Sequence, residues 1–169
     1  MRFTDSPNAT AEIRVAAAPA TVWDLVADIA LPARFSDEFQ GADWVDPASP
    51  TGVGARFLGR NKNPSIGEWE VMCTVIRWDP PAAFAWSVGD LDAPAATWGF
   101  DLEPDGDGTR LRQWAQMGPG PSGVTMLIGR DPDAEEMIVA GRLRQWQRNM
   151  DATVAGIRAL AESSLPPAR

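Results

Sequence analysis

Few residues in this chain can do chemistry, because it contains no histidine and no tyrosine, and its single cysteine is Cys73. Those absences remove the commonest general base, the commonest nitrogen ligand for metals and the usual phenolic donor. Histidine-based zinc sites, Ser-His-Asp triads and Cys-His pairs are excluded, and so is an internal disulfide. Asp, Glu, Lys, Arg and Cys73 remain, and no paired carboxylates fall on the side chains expected to point inward. No catalytic residue, metal or cofactor is therefore assigned. Cys73 alternates with Val71 and Val75, a setting in which a thiol behaves as a small hydrophobe.

Three polar features stand out from this background. Gln113 lies among apolar residues, where a buried amide needs a partner; a register slip of one would instead place it on the surface and turn Arg112, Trp114 and Gln116 inward. Arg77 ends an apolar alternation, which suits either the rim of a pocket or the exposed end of a strand. Arg56, Arg60, Asn61 and Lys62 form the one local basic cluster. It is expected to be a solvated hairpin tip, with reception of an acidic group as the alternative.

The elements that must position these groups read mainly as sheet. Ala11 to Ala17 alternates as a half-buried strand, with Ile13 and Val15 on one face. Pro19 opens a short helix with Val22, Leu25, Val26 and Ile29 on one side. Pro32 interrupts it, so 33–37 should be a separate helical turn. Further strands are expected near 40–45, 55–60, 68–78, 84–88, 97–103 and 110–117, separated by Pro-, Gly- and Asn-rich turns. Short connections make consecutive strands antiparallel neighbours.

A long helix is expected from Asp131 to Ser164, with Pro132 at its first position and acidic residues in its first turn. Its apolar stripe is Met137, Ala140, Leu143 or Arg144, Met150, Val154, Ile157 and Leu160 or Ala161, against a polar side carrying Arg142, Arg148 and Arg158. Gly118 to Arg130, with Met126, Leu127 and Ile128 between glycines, reads either as a lid hinged at Gly123 and Gly129 or as a connector that patches the core.

Strand parity gives an expected concave face of Phe57 and Gly59, then Trp69, Val71, Cys73 and Val75, then Phe84, Trp86 and Val88, then Trp98, Phe100 and Leu102, then Leu111, Gln113, Ala115 and Met117. The first part of the long helix adds Met137, Ala140, Gly141 and Arg144. The site residues expected to bind a ligand are Phe57, Trp69, Trp86, Trp98, Gln113, Met117, Met137 and Gly141. Large aromatics and methionines with one or two polar atoms suit an apolar-ligand pocket, and they equally suit a filled core. Gly59 and Gly141 leave space, which favours a cavity; Gly99 falls on the convex side.

The order of elements resembles the Bet v 1-like helix-grip superfamily, also called START-related or SRPBCC, and within it the polyketide cyclase/dehydrase-like proteins. The strings that carry the likeness are PATVWDLVAD at 19–28, GARFLGRN at 54–61 with Glu68-Trp69-Glu70, Asp79-Pro80-Pro81 with Phe84-Ala85-Trp86, and WGFDLEP at 98–104 with Gly108-Thr109-Arg110-Leu111. The resemblance implies an α+β helix-grip fold: a curved antiparallel seven-stranded sheet around a long C-terminal helix, two short helices after the first strand, and an apolar cavity between sheet and helix. It also implies three functions in turn: binding of a small hydrophobic molecule, polyketide cyclase or dehydratase chemistry, or a co-chaperone-like interaction role.

At 169 residues one domain is expected, over 9–164, with 1–8 and 165–169 loose. A net charge of −8 works against nucleic acid and anionic membrane surfaces. No apolar run of signal-peptide or membrane-span length is present, so a cytoplasmic protein without integral membrane association is expected. Composition leaves the oligomeric state open.

Overall fold

The structure, a computed structural model, describes residues 1–48 and 51–163. The expected helix end at Ser164 and the tail 165–169 lie outside the described residues. Seven strands form one sheet: β1 (Asn8–Val15), β2 (Phe39–Trp44), β3 (Arg56–Asn63), β4 (Gly67–Asp79), β5 (Ala83–Gly89), β6 (Pro94–Asp105) and β7 (Gly108–Met117). Three helices accompany them: α1 (Pro19–Val26), α2 (Gly123–Arg130) and α3 (Glu135–Ser163).

The strand order is β1-β7-β6-β5-β4-β3-β2, antiparallel throughout. Strands β2 to β7 therefore form a meander, and β1 returns to pair with β7. Because β1 and β2 lie at opposite edges, the segment between them must cross the open side of the sheet. That crossing is α1 followed by a 3-10 turn at Leu31–Arg34, shorter and earlier than the expected turn at 33–37. Curvature and crossing together give the α+β helix-grip fold.

Alternation sets which faces are buried. Along β7, Thr109, Leu111, Gln113, Ala115 and Met117 are buried while Arg110, Arg112 and Gln116 are exposed, so the inward register of Gln113 holds. The convex face has its own packing. The Trp114 indole lies across Gly99 of the neighbouring strand, so closely that a Cβ at Gly99 would come within 2.5 Å of it. Gly99 is thus a bed for Trp114 rather than a source of cavity space.

One register shift changes the expected pattern. Between Val75 and Arg77 the pairing of β4 with β5 skips Ile76, which is left exposed. An extra residue reverses the alternation beyond it. Arg77 consequently points away from the concave side, toward Asp79 and Asp101 at 3.8 and 3.5 Å. Trp78 takes the inward place, edge-on to Trp23 and to Phe84 with ring centroids 5.1 Å apart in each pair.

Helix α3 has 29 residues, about 44 Å at 1.5 Å per residue. It starts at Glu135, after a 3-10 turn at Pro132–Ala134 that uses the proline expected at the helix start. Its backbone approaches β1, β7 and α1 most closely. Its C-terminal half packs solidly: Met150, Val154, Ile157 and Ala161 are all buried, as the stripe requires. Burial of a side chain such as Ile157 contributes about 1.5–3 kcal/mol. Gly156 admits the Phe35 ring so closely that a Cβ there would come within 2.3 Å of it.

Two segments depart from expectation. Residues 1–8 are tied down: Phe3–Asp5 forms a 3-10 turn, the Phe3 N–H donates to Glu135 Oε1 at 2.9 Å, and Asn8 already belongs to β1. The Gly118–Arg130 segment contains α2, whose N-terminus is capped by Ser122 and Thr125: the Thr125 N–H donates to Ser122 Oγ and the Ser122 N–H to Thr125 Oγ1. Reciprocal capping of this kind satisfies amides that the first helical turn leaves free.

Candidate functional site

The backbone of α3 lies nearest β1 and β7, and a cavity of about 430 Å³ separates the helix from the concave face of β3 to β6. The sheet supplies most of its wall. Phe57, Gly59, Trp69, Cys73, Phe84, Trp86, Trp98, Phe100, Gln113 and Met117 all line it. Cross-strand pairing explains their adjacency: Phe57 faces Cys73, Phe84 faces Phe100, Trp86 faces Trp98, and Phe100 faces Gln113. The aromatics touch in sequence, Phe57 to Trp86 at 6.0 Å, Phe84 to Trp86 at 5.0 Å and Trp86 to Phe100 at 6.1 Å between centroids. Such pairs add about 0.5–1.5 kcal/mol each beyond burial and fix the shape of the wall.

Helix α2 closes part of the boundary with Gly123, Val124 and Met126. Gly123 presses against Ile66 at the β3–β4 hairpin tip, where a Cβ would meet the Ile66 side chain at 2.4 Å. That close approach docks the start of α2 to the hairpin.

The contribution of α3 differs from the one the sequence suggests. Six of the eight expected residues, Phe57, Trp69, Trp86, Trp98, Gln113 and Met117, line the cavity; Met137 and Gly141 do not. Met137 is 69% exposed, and the nearest atom to a Cβ at Gly141 belongs to Arg144 of the same helix. The face that lines the cavity carries Arg142, Trp146, Asn149, Met150 and Thr153. Counting back from Met150 by four, then by three or four, reaches Trp146 and then Arg142 or Leu143. The expected stripe has a slack turn there and drifts off this face. Trp146 is the available signal, a large apolar residue in phase with Met150, Val154 and Ile157.

Correct phasing brings a polar cluster to the cavity wall that no local motif announces. The Arg142 guanidinium donates from Nη2 to Glu38 Oε1 at 2.6 Å and from Nη1 to Glu38 Oε2 at 2.5 Å, and also to Gln145 Oε1 at 2.8 Å. Asn63 Nδ2 donates to both Glu38 Oε2 and Gln145 Oε1, at 2.9 and 3.0 Å. Glu38 is presented by a serine turn, since Ser36 Oγ accepts from the N–H groups of Glu38 and Phe39. A two-pronged, hydrogen-bonded pair of this kind satisfies charges that burial would otherwise make costly. Arg142 also stands over Trp146, its Cζ 5.4 Å from the ring centroid.

Two fully buried polar side-chain atoms in the lining have no partner among the described residues. Gln113 Oε1 and Trp146 Nε1 are both buried without a hydrogen bond, on side chains only 5% and 4% exposed. Trp146 meets Trp98 edge-on at 5.0 Å, and Trp98 pairs with Ala115, two residues from Gln113 on β7. A buried donor and acceptor without partners are uncommon in a packed core.

Burial pushes the Cys73 thiol up to about 12, so at neutral pH it stays protonated and is no nucleophile. The basic cluster disperses. Arg60 bonds to Asp43, while Asn61 alone of the four lines the cavity. Among the described residues no group of Cys, Asp and Glu side chains could hold a metal ion, and no helix is long and apolar enough to cross a membrane.

Comparison with known proteins agrees with this architecture. No functionally curated protein matches the sequence. A polyketide-cyclase-like protein of Corynebacterium glutamicum is similar in structure at a TM-score of 0.67 and 27% identity, with 93% of this chain and 92% of that one covered. The Zhui aromatase/cyclase from a Streptomyces species is similar at 0.65 and 16% identity, over 95% and 96% of the two chains. Ara h 8.0201 is similar at 0.57 and 12% identity, over 94% and 99%. The family model described as polyketide cyclase / dehydrase and lipid transport matches residues 6–162, nearly the whole of the described chain. The chain therefore belongs to the polyketide cyclase/dehydrase and lipid transport family.

Proposed function

We propose that this protein binds a small apolar or amphipathic molecule in the cavity between the sheet and α3, as a carrier or binding module acting in the cytoplasm. The observation that carries this reading is the cavity itself, about 430 Å³ walled by aromatic side chains. Protein interiors are otherwise packed to the density of organic crystals, and small-molecule sites occupy roughly 300–1,000 Å³. Removing apolar ligand surface from water at ~25 cal/mol per Å² supplies the driving force.

A second reading, cyclase or dehydratase chemistry in the same cavity, is favoured by the family match. The lining offers it little acid or base. Glu38 is held by Arg142 and Asn63, and the Cys73 thiol is pushed up to about 12. A reaction there would rely on holding a flexible substrate in a reactive fold. Binding is the simpler reading of the same residues.

Tryptophan emission tests it, since Trp69, Trp86, Trp98 and Trp146 all line the cavity. Titration with fatty acids, flavonoids and polycyclic aromatics should produce a saturable change with at least one class. Silence across the panel would count against a ligand cavity.

A further inference from the structure

If the cavity binds a small molecule, as proposed, the polar atoms of its lining specify more than apolarity. Most polar side chains in the wall are already engaged. Ser36 and Asn149 accept backbone N–H groups, and the Thr153 hydroxyl donates to the Asn149 carbonyl. Asn63, which backs the wall, donates to Glu38 and to Gln145, and Gln145 Oε1 also accepts from Arg142.

Charge in the wall is equally committed. Arg142 is its one cation among the described residues, and both of its Nη atoms are taken by the Glu38 carboxylate. The other ionisable carboxylates in the lining, Asp28 and Glu70, are solvent-exposed at its edges. An entering carboxylate would lose its hydration, find no free cation, and meet acidic groups at the boundary.

Two polar atoms of the lining are fully buried and still without partners, one donor and one acceptor, Trp146 Nε1–H and Gln113 Oε1. An indole N–H can only donate, so the ligand must offer it an acceptor, and Gln113 Oε1 requires a donor. Hydroxyl groups are both, and they carry no charge. We propose that the cavity selects neutral, hydroxyl-bearing apolar molecules, which satisfy Trp146 Nε1–H and Gln113 Oε1, and refuses carboxylates of the same size and shape. Free fatty acids would then be poor ligands, and alcohols, phenols or sterol-like molecules good ones.

A matched set of bicyclic probes tests this at pH 7: naphthalene, 2-naphthol and 2-naphthoate, titrated calorimetrically against the intact protein. The expected order is 2-naphthol tightest, by at least about fivefold over naphthalene, as one or two net hydrogen bonds would give. 2-Naphthoate is expected to be the weakest of the three. In Trp146→Phe and in Gln113→Leu the ratio of naphthol to naphthalene affinity should fall toward one, and either variant alone suffices if the other does not fold. Binding of 2-naphthoate as tight as that of 2-naphthol would overturn the charge argument. An undiminished naphthol preference in both variants would overturn the assignment of the two atoms. If naphthalene binds without any preference for naphthol, this inference fails and the cavity reading stands; if none of the three binds, the cavity reading fails first.

Discussion

From Val154 onward α3 presents Val154, Ile157 and Ala161, each at 3% exposure or less and outside the cavity lining, while Gly156 lets the Phe35 ring rest on the helix backbone. Between Val139 and Trp146 the same helix presents Arg142 and Trp146 to an open space, one locked to Glu38 and the other with its N–H unpartnered. The two halves share one helix and one sheet, yet one is built for packing and the other for something to enter. The difference follows from what each half faces. The C-terminal half meets α1 and Phe35, whereas the N-terminal half faces β3 to β6 across the cavity. Stability should therefore be concentrated in the first region and ligand affinity in the second.

Substitutions can break that division or sharpen it. The largest loss of stability is expected from Arg142→Met, about 3–5 kcal/mol, because it strands the Glu38 carboxylate in the cavity wall. The double variant Glu38→Gln with Arg142→Met should recover much of that loss, as measured by urea unfolding. A double variant as unstable as the single would show that the pair does more than neutralise itself. In the packed half, Ile157→Ala should cost about 2–5 kcal/mol by leaving a void the helix cannot close. Its ligand affinity, measured on the folded fraction, should be unchanged.

A smaller effect concerns pH. The Cys73 thiol, near 9.0 when unfolded, is pushed up to about 12 by burial. Below pH 9 both states hold the proton and stability is unaffected. Above it the unfolded state ionises first, so stability should fall by about 1.4 kcal/mol per pH unit between pH 9 and 12. Cys73→Ala should remove that slope, a comparison readable from unfolding midpoints at pH 8, 9.5 and 10.5. The smallest expected effect is that of Met137→Ala, within about 0.5 kcal/mol in stability and without consequence for binding, since Met137 is exposed and outside the cavity.

The strands are legible because alternation with a period of two survives in Ile13 and Val15, in Phe84, Trp86 and Val88, and in Leu111, Gln113 and Ala115. Six of eight expected cavity residues follow from that alternation alone. It misleads where a strand carries an extra residue: nothing in the types of Val75, Ile76 and Arg77 announces the shift that turns Arg77 outward and Trp78 inward. On α3 the error is one of phase. Met137, Ala140 and Gly141 form a plausible stripe, but Trp146 lies in phase with Met150 and points to the other face. Glu38 and Arg142 are out of reach for a different reason. They are 104 residues apart, and a buried ion pair between a loop and a helix leaves no periodic trace.

The most direct test of an entered cavity fills it from a position that can bear a side chain. A Cβ at Gly59 would meet nothing nearer than 3.7 Å, at Phe39, so Gly59→Phe can project its ring into the open space. The measurement is a fluorescence titration of wild type and Gly59→Phe with N-phenyl-1-naphthylamine, an uncharged apolar probe, with the fold of each checked by circular dichroism. The account predicts saturable binding of one probe per wild-type chain and at least a tenfold weakening, about 1.4 kcal/mol, in a variant that remains folded. Equal binding by a folded Gly59→Phe variant, or no binding by wild type, would contradict it.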